Sequence, residues 1–259
     1  FLEAIRDRDR AALVIDLLYG LPGQTDEIWS EDLRIAADLA PDGVDLYGLN
    51  LIPGTPLHKA IGIGKFPAAA MRKDIGVMYR EGVEFLSAKG WTQISNSHWA
   101  RTPRERNIYN LRIKEGADCL AYGSGAGGML GQYSYGIASD LDSYRDAMLA
   151  GRKPIDGLRV SDSLQPVRTV TTAGLEVGRL DLDRVALPQG GNLKTRVAPL
   201  LEQWRAAGLV AMSGNVVLLT TAGRFWYSNL VSAFDAILSE AGPAVRPGAP
   251  IDAPRNPET

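Results

Sequence analysis

Along this chain the apolar and polar positions alternate between strand-like and helix-like stretches. From Ala11 to Leu18 nearly every position is apolar, the pattern of a strand in a parallel sheet buried on both faces. The breaker-rich loop Tyr19-Gly20-Leu21-Pro22-Gly23-Gln24-Thr25 follows, and a helix is predicted from about Asp26 to Ala40. Thr25 caps it, Asp26 and Glu27 suit the positive end of its dipole, and Ile28, Leu33, Ala36, Ala37 and Leu39 form an apolar stripe. Pro41-Asp42-Gly43 stops this helix and Val44 to Asn50 returns as a strand, completing a βαβ unit with a right-handed crossover. The pattern then repeats: the loop Ile52 to Pro56 leads to a second helix from about Pro67 to Lys89, and Trp91 to Ser95 reads as a short strand.

Beyond it, Asn96 to Glu115 is polar and basic and reads as a long loop with some helix. Cys119 to Tyr122 is expected as a strand, Gly123 to Gly131 as loop, Gln132 to Ala138 as a strand, and Leu141 to Leu149 as a helix ending at Gly151. The alternation of strands and helices stops there, which puts a domain boundary between Gly151 and Leu158. Three helices are then predicted, Ser163 to Glu176, Leu193 to Ala207 and Thr221 to Glu240, with a hairpin around Ser213-Gly214 before the last. The expected architecture is α/β: a partial (βα) barrel over residues 1–157, a helical, winged-helix-like domain over 158–240, and a proline-rich disordered tail over 241–259. Phe1 to Arg10 offers no neighbour for the first strand, so the chain is expected to be the interior of something longer.

Composition narrows the chemistry. The chain has 259 residues, 28 basic against 30 acidic, and a formal net charge of −2, so nothing draws it as a whole toward nucleic acid or anionic lipid. No apolar run approaches the roughly 18 residues of a membrane span. One cysteine, Cys119, and two histidines, His58 and His98, rule out a disulfide framework and argue against a metal site made by this chain alone.

Several residues invite a functional reading. Asp16 sits inside an apolar strand on the face of Val14 and Leu18, where a carboxylate needs strong partners or costs several kcal/mol in desolvation. Its alternative reading is a structural aspartate paired with an arginine or capping a loop. Asn50 lies at the carboxyl end of the next strand, the edge where α/β proteins bind ligands. Gly123-Ser124-Gly125-Ala126-Gly127-Gly128 fits G-x-G-x-x-G, but no long amphipathic helix follows, so the glycines suit close backbone approach to a flat ligand or a neighbouring strand better than a dinucleotide loop. His98 follows a strand and reads either as a hydrogen-bonded structural residue or as a ligand. Arg101, Arg104 and Arg106 either bind carboxylates or form a solvated loop face.

Asp16-Leu17-Leu18-Tyr19-Gly20-Leu21-Pro22-Gly23-Gln24-Thr25 resembles the D-L-I-Y-G-L-P-x-Q-T segment of the radical S-adenosylmethionine (SAM) family that contains oxygen-independent coproporphyrinogen III oxidase. The likeness continues in order: Asn50 to Pro56 resembles the family's proline loop, His98-Trp99-Ala100-Arg101 its H-[FW]-A-R segment, Ala121 to Gly128 its glycine-rich turn, and Trp204 to Tyr227 its C-terminal helical domain. Within the family, His98 to Asn107 and Tyr122 to Gly128 are most similar to the haem-utilisation branch (HutW/ChuW type).

The resemblance implies an enzyme acting on haem or a related porphyrin, with SAM and a [4Fe–4S] cluster as cofactors and an electron donor such as a flavodoxin, in the cytoplasm and without nucleic-acid or membrane partners. It implies SAM contacts at Asp16, Asn50 and Gly127, and substrate contacts at His98, Arg101, Arg104 and Arg106. The family's C-x-x-x-C-x-x-C motif is absent, so the cluster ligands are expected in a missing N-terminal part and the fragment alone is expected to be inactive and poorly soluble. Two other readings stand beside this one: the decarboxylating oxidase itself, and a haem-binding or chaperone relative without radical catalysis.

Overall fold

The computed structural model describes residues 1–188 and 190–239. The tail at 241–259, expected to be disordered, lies outside the described residues. A short helix α1 (Leu2–Arg6) precedes β1 (Val14–Tyr19), α2 (Asp26–Asp38), β2 (Gly43–Gly48), α3 (Pro56–Gly62), α4 (Arg72–Ala88), β3 (Thr92–Gln93) and β4 (His98–Ala100). The first sheet runs β1-β2-β4-β3. β1 and β2 are parallel, with Asp16 opposite Asp45 and Leu18 opposite Tyr47, as the βαβ reading requires.

The repeat of that unit is not simple. β4 pairs antiparallel with both β2 and β3, so the third place in the sheet belongs to the second arm of a tight hairpin. Only four residues, 94–97, separate the two arms, and a connection that short can join only antiparallel strands. The proline-led helix start also belongs elsewhere: Thr55 caps α3, its hydroxyl accepting from the His58 backbone N–H at 3.3 Å, and Pro56 occupies the first turn. Pro67 lies in the link before α4, which begins at Arg72.

One face of this sheet is sealed by α2 and α4. Trp29, Leu33, Leu46, Met78, Leu86 and Trp99 are buried there, and the Trp29 indole N–H donates to the Met78 carbonyl at 2.8 Å. Gly82 lets α4 approach the sheet: a Cβ at that position would stand 2.7 Å from Leu46 Cδ1.

A second sheet, antiparallel and ordered β5-β6-β7, follows α5 (Ile108–Lys114) and consists of β5 (Gly127–Leu130), β6 (Tyr133–Ile137) and, after α6 (Leu141–Leu149), β7 (Ile155–Val160). Here the glycine-rich stretch expected as loop contributes a strand, because glycine keeps its backbone N–H and C=O free to pair with β6 even where it offers no side chain to pack. The strand expected at Cys119 to Tyr122 shrinks to a single bridge between Cys119 and Met129. β7 runs through Gly157 and Leu158, the place where the domain boundary was expected, and pairs with β6.

The last part holds α7 (Gln165–Glu176), β8 (Arg179–Asp181), a 3₁₀ turn at Leu182–Arg184, α8 (Leu193–Ala206), β9 (Val210–Ser213), β10 (Val216–Leu219), α9 (Thr221–Phe225) and α10 (Tyr227–Ser239). The predicted hairpin is present, and β8 makes it a three-stranded wing ordered β8-β10-β9. Helices and wing enclose a core of their own in which Leu175, Val197, Trp204, Val217 and Phe234 are almost wholly buried. The helix expected over Thr221 to Glu240 breaks at Trp226, where Phe225 turns onto α4: its ring stacks on Tyr79 at 5.8 Å and lies under the Arg72 guanidinium at 5.4 Å.

Candidate cofactor and substrate site

The face of the first sheet turned away from α2 and α4 carries the chemistry. By alternation it presents Val14, Asp16 and Leu18 from β1, Asp45 and Tyr47 from β2, and His98 from β4. Asp16 was expected to be a buried carboxylate in need of a partner. It is exposed instead, with no hydrogen bond or ion pair to a described residue. Leu17 and Tyr19 beside it pack on the other face, so solvent rather than a partner removes the desolvation cost. Leu18 and Tyr47 on the same face are 51% and 40% exposed. The Tyr47 hydroxyl is pushed up to about 12 by burial first, then by the charges of Asp45 and Asp16 and, last, Glu176.

Asp45 and His98 lie opposite one another across β2 and β4 and are both buried. His98 Nδ1 stands 2.9 Å from Asp45 Oδ2, and its Nε2 stands 3.2 Å from Glu105 Oε1. Both carboxylates thus stand within ion-pair distance of the ring, one at each nitrogen. Burial disfavours the imidazolium, yet the two carboxylates outweigh it and raise the His98 pKa above its ordinary 6.5. The two carboxylates thus favour the charged form of His98 inside the sheet.

The arginines that follow it sit at the opposite edge from the strand ends carrying Tyr19 and Gly48. Arg101 donates from Nε to the Pro41 carbonyl at 2.6 Å and from Nη2 to the Ala40 carbonyl at 2.8 Å. Arg104 pairs with Asp9 and donates to the Ala11 carbonyl at 3.1 Å. Arg106 is exposed. Asp42 completes this edge, accepting from the Leu13 backbone N–H at 2.9 Å and from the Thr102 hydroxyl at 2.7 Å.

Asn50 lies two residues past the end of β2 and is exposed. It shares the carboxyl side of the sheet with the loop after β1 but extends the row of Val44, Leu46 and Gly48, the helix-facing row, not that of Asp16. Gly127 is the first residue of β5, on the second sheet, and a Cβ there would meet nothing within 4 Å. The structure thus holds Asp16, Asp45, Tyr47 and His98 on one face, Asn50 at its rim, Gly127 on a separate sheet, and Arg101 to Arg106 at the far edge.

Two residues of consequence escaped the sequence reading. Asn96, nearly fully buried, donates its side-chain amide to the Leu175 carbonyl at 2.8 Å and its backbone N–H to the Glu176 carbonyl at 2.9 Å. Its own carbonyl accepts from the Tyr79 hydroxyl at 2.6 Å, and its side-chain oxygen accepts from Arg224 Nη1 at 3.1 Å. Arg224 also donates to the Val177 carbonyl at 3.2 Å. Together they pin the turn before β4 to α7 and α9. The partners lie 79 and 128 residues apart, so no local pattern could reveal them.

The residues fit the family's two cofactors unequally. A free, exposed carboxylate on the inner face suits the hydroxyls of a nucleoside. The chain's single cysteine does not suit an iron–sulfur cluster, and among the described residues no three His, Cys, Asp or Glu side chains come together to hold a metal.

No family model matches the chain. Among curated proteins, an anaerobilin synthase of Escherichia coli O157:H7 is 44% identical over 241 residues, 92% of this chain and 52% of its own length. An oxygen-independent coproporphyrinogen III oxidase of Bradyrhizobium diazoefficiens is 25% identical over 257 residues, again 92% of this chain and 55% of its own. The chain is similar over nearly all its length to an anaerobilin synthase and to oxygen-independent coproporphyrinogen III oxidases. A solved coproporphyrinogen III oxidase of Escherichia coli, described as a radical SAM enzyme, shares the fold: the TM-score is 0.72 at 22% identity, over 90% of this chain and 57% of that one. The chain spans about half the length of the family members it matches. Among the described residues the first sheet is open and does not close into a barrel. Among the described residues, no helix is long and apolar enough to cross a membrane.

Proposed function

We propose that this chain is part of a radical SAM enzyme that acts on haem or a closely related tetrapyrrole, within the haem-utilisation branch of the family. The observation that carries the reading is the 44% identity to an anaerobilin synthase over 92% of the chain. The inner face supports it, because Asp16 offers an exposed, unengaged carboxylate to the ribose hydroxyls of SAM, with Asn50 and Gly127 as further SAM contacts. When bound, SAM and a reduced cluster supply a carbon-centred radical. The residues of this chain orient the nucleoside and keep the inner face polar. The cluster ligands belong to a part of the protein that is not in this chain, and the chain by itself is expected to be inactive.

His98 enters this reading as the buried imidazole between Asp45 and Glu105 that ties β4 to β2, and Arg101 and Arg104 as ties at the strands' amino edge, with Arg106 exposed beside them. Direct contacts from these residues to propionates are tested by reversing the charges of Arg101 and Arg104 in the full-length protein. Unchanged haem affinity would remove both from the substrate site.

The reaction class is tested on the intact enzyme, cytoplasmic in this reading, given SAM, haem and a reductant such as flavodoxin without oxygen. A ring-opened tetrapyrrole is the expected product. Decarboxylation of coproporphyrinogen III, with haem untouched, would instead make the protein an oxidase of the decarboxylating kind.

A further inference from the structure

Glu176, at the carboxyl end of α7, has no part in the cofactor reading above, yet it borders the same face. It belongs to the helical module, and its backbone carbonyl accepts from the Asn96 backbone N–H at 2.9 Å, two residues before His98 opens β4. Its side chain is 9% exposed. Oε2 has no hydrogen-bond partner among the described residues, and the Lys114 ammonium on α5 stands 3.4 Å from it. A carboxylate so deeply buried, with an incompletely satisfied oxygen, is under-compensated for the water it has lost. Its charge reaches the first sheet: Glu176 acts with Asp45 and Asp16 on the Tyr47 hydroxyl.

That face is itself short of positive charge. Asp16 and Asp45 lie opposite one another across β1 and β2, and like charges so placed repel. His98, on β4, is shared between Asp45 and Glu105, and Lys114 serves Glu176, whereas Asp16 has no ion pair to a described residue. The carboxylates of Asp16, Asp45, Glu105 and Glu176 thus outnumber their basic partners, His98 and Lys114. An excess of this kind in partly buried surroundings attracts a ligand cation and does little for a neutral ligand of the same shape.

We propose that Glu176 is a specificity-determining residue of the Asp16 face, which it helps to make selective for a nucleoside bearing a sulfonium cation over the same nucleoside with a neutral thioether. This rests on the SAM reading above and supplies a basis of choice within it. The sulfonium of SAM is one methylene from the ribose ring, so a ribose held by Asp16 brings the cation to this face. Because SAM loses that charge when it reacts, the same preference favours exchange of the spent ligand for a fresh one.

The test is a calorimetric titration of the full-length protein, with its cluster kept oxidised so that SAM is not consumed. The ligands are SAM and S-adenosylhomocysteine, which lacks only the methyl group and its charge. The wild type is expected to bind SAM at least about tenfold more tightly, and Glu176→Gln to cut that ratio at least about threefold through the SAM affinity alone. Glu202→Gln, the same change on the exposed side of α8, where Glu202 pairs with Arg205 at 2.7 Å, is the control and should leave the ratio unchanged. If Glu176→Gln fails to fold, Lys114→Gln decides: at mildly alkaline pH, where carboxylates stay ionised, loss of the opposing cation should raise the ratio at least about twofold. A purely structural role would weaken both ligands alike. That result, or one ratio shared by the wild type and every folded variant, would overturn the role of Glu176 and leave the SAM reading standing. Binding of neither ligand by the wild type would count against both.

Discussion

The helical module and the first sheet treat their two sides differently. In the helical module α7, α8, α10 and the wing surround one core, and Leu175, Val197, Trp204 and Val217 are sealed from every direction. The first sheet has an equally dense core, with Trp29, Leu33 and Trp99 at its centre, but on one side only. Its other face carries Asp16, Asp45, Tyr47 and His98, with exposure rising from β4 toward the edge strand β1. A region with a single core is built for stability throughout. A region with one sealed and one polar face can present chemistry on the second without disturbing the first.

The comparison can be broken most severely in the helical module. Trp204→Ala would empty a site with no exposed surface and is expected to cost about 3–5 kcal/mol, seen as a loss of cooperative unfolding in denaturant. A change below about 1 kcal/mol would mean that this core is not the continuous one described.

In the first sheet the largest effect is expected at His98. His98→Gln leaves buried Asp45 and half-buried Glu105 without the imidazole between them, at a cost on the order of 3 kcal/mol. Because the folded-state pKa of His98 is raised, its stabilisation is complete below the ordinary value of 6.5 and is lost as pH climbs through the higher folded-state value. Wild-type stability should therefore fall as pH rises above 6.5 and through the folded-state value, and the variant should lose that slope. A slope that survives in His98→Gln would assign it to another group.

Asn96 joins the two regions, and Asn96→Ala strips partners from Arg224, from the Leu175 carbonyl and from the turn before β4. A loss of about 1–3 kcal/mol is expected, with the two regions melting at separate temperatures in calorimetry. A single shifted transition would show that the packing of Phe225 on Tyr79 is enough to couple them.

The smallest effect on stability, within about 0.5 kcal/mol, is expected at exposed Asp16. Asp16→Asn should leave the melting temperature unchanged while weakening SAM binding at least tenfold by calorimetry on the full-length protein. Retained SAM affinity would take Asp16 out of the site.

Much of this was legible along the chain. The βαβ unit, the capped helix α2, the helix Leu141–Leu149 and the hairpin of the wing all follow from short-range patterns, and each appears within a few residues of its expected place. The candidate site was legible in part. Asp16 stood out as a carboxylate in an apolar run, although its exposure did not, because alternation tells which residues share a face but not which face is covered. Arg101 and Arg104 stood out as basic groups near a histidine, while their bonds to Pro41, Ala40 and Ala11 depend on segments 60 or more residues away.

The sequence by itself determined the order of elements, the segments that could bear chemistry and the family they resemble, since these rest on periodicity, capping and residue type within a few turns of chain. The tertiary structure alone decided that β4 rather than β3 lies beside β2, that the glycine-rich stretch pairs as a strand, and that Asn96 and Arg224 bind the two regions. These outcomes turn on hydrogen bonds and packing between distant segments, and the free energy that selects them exists only once those segments meet.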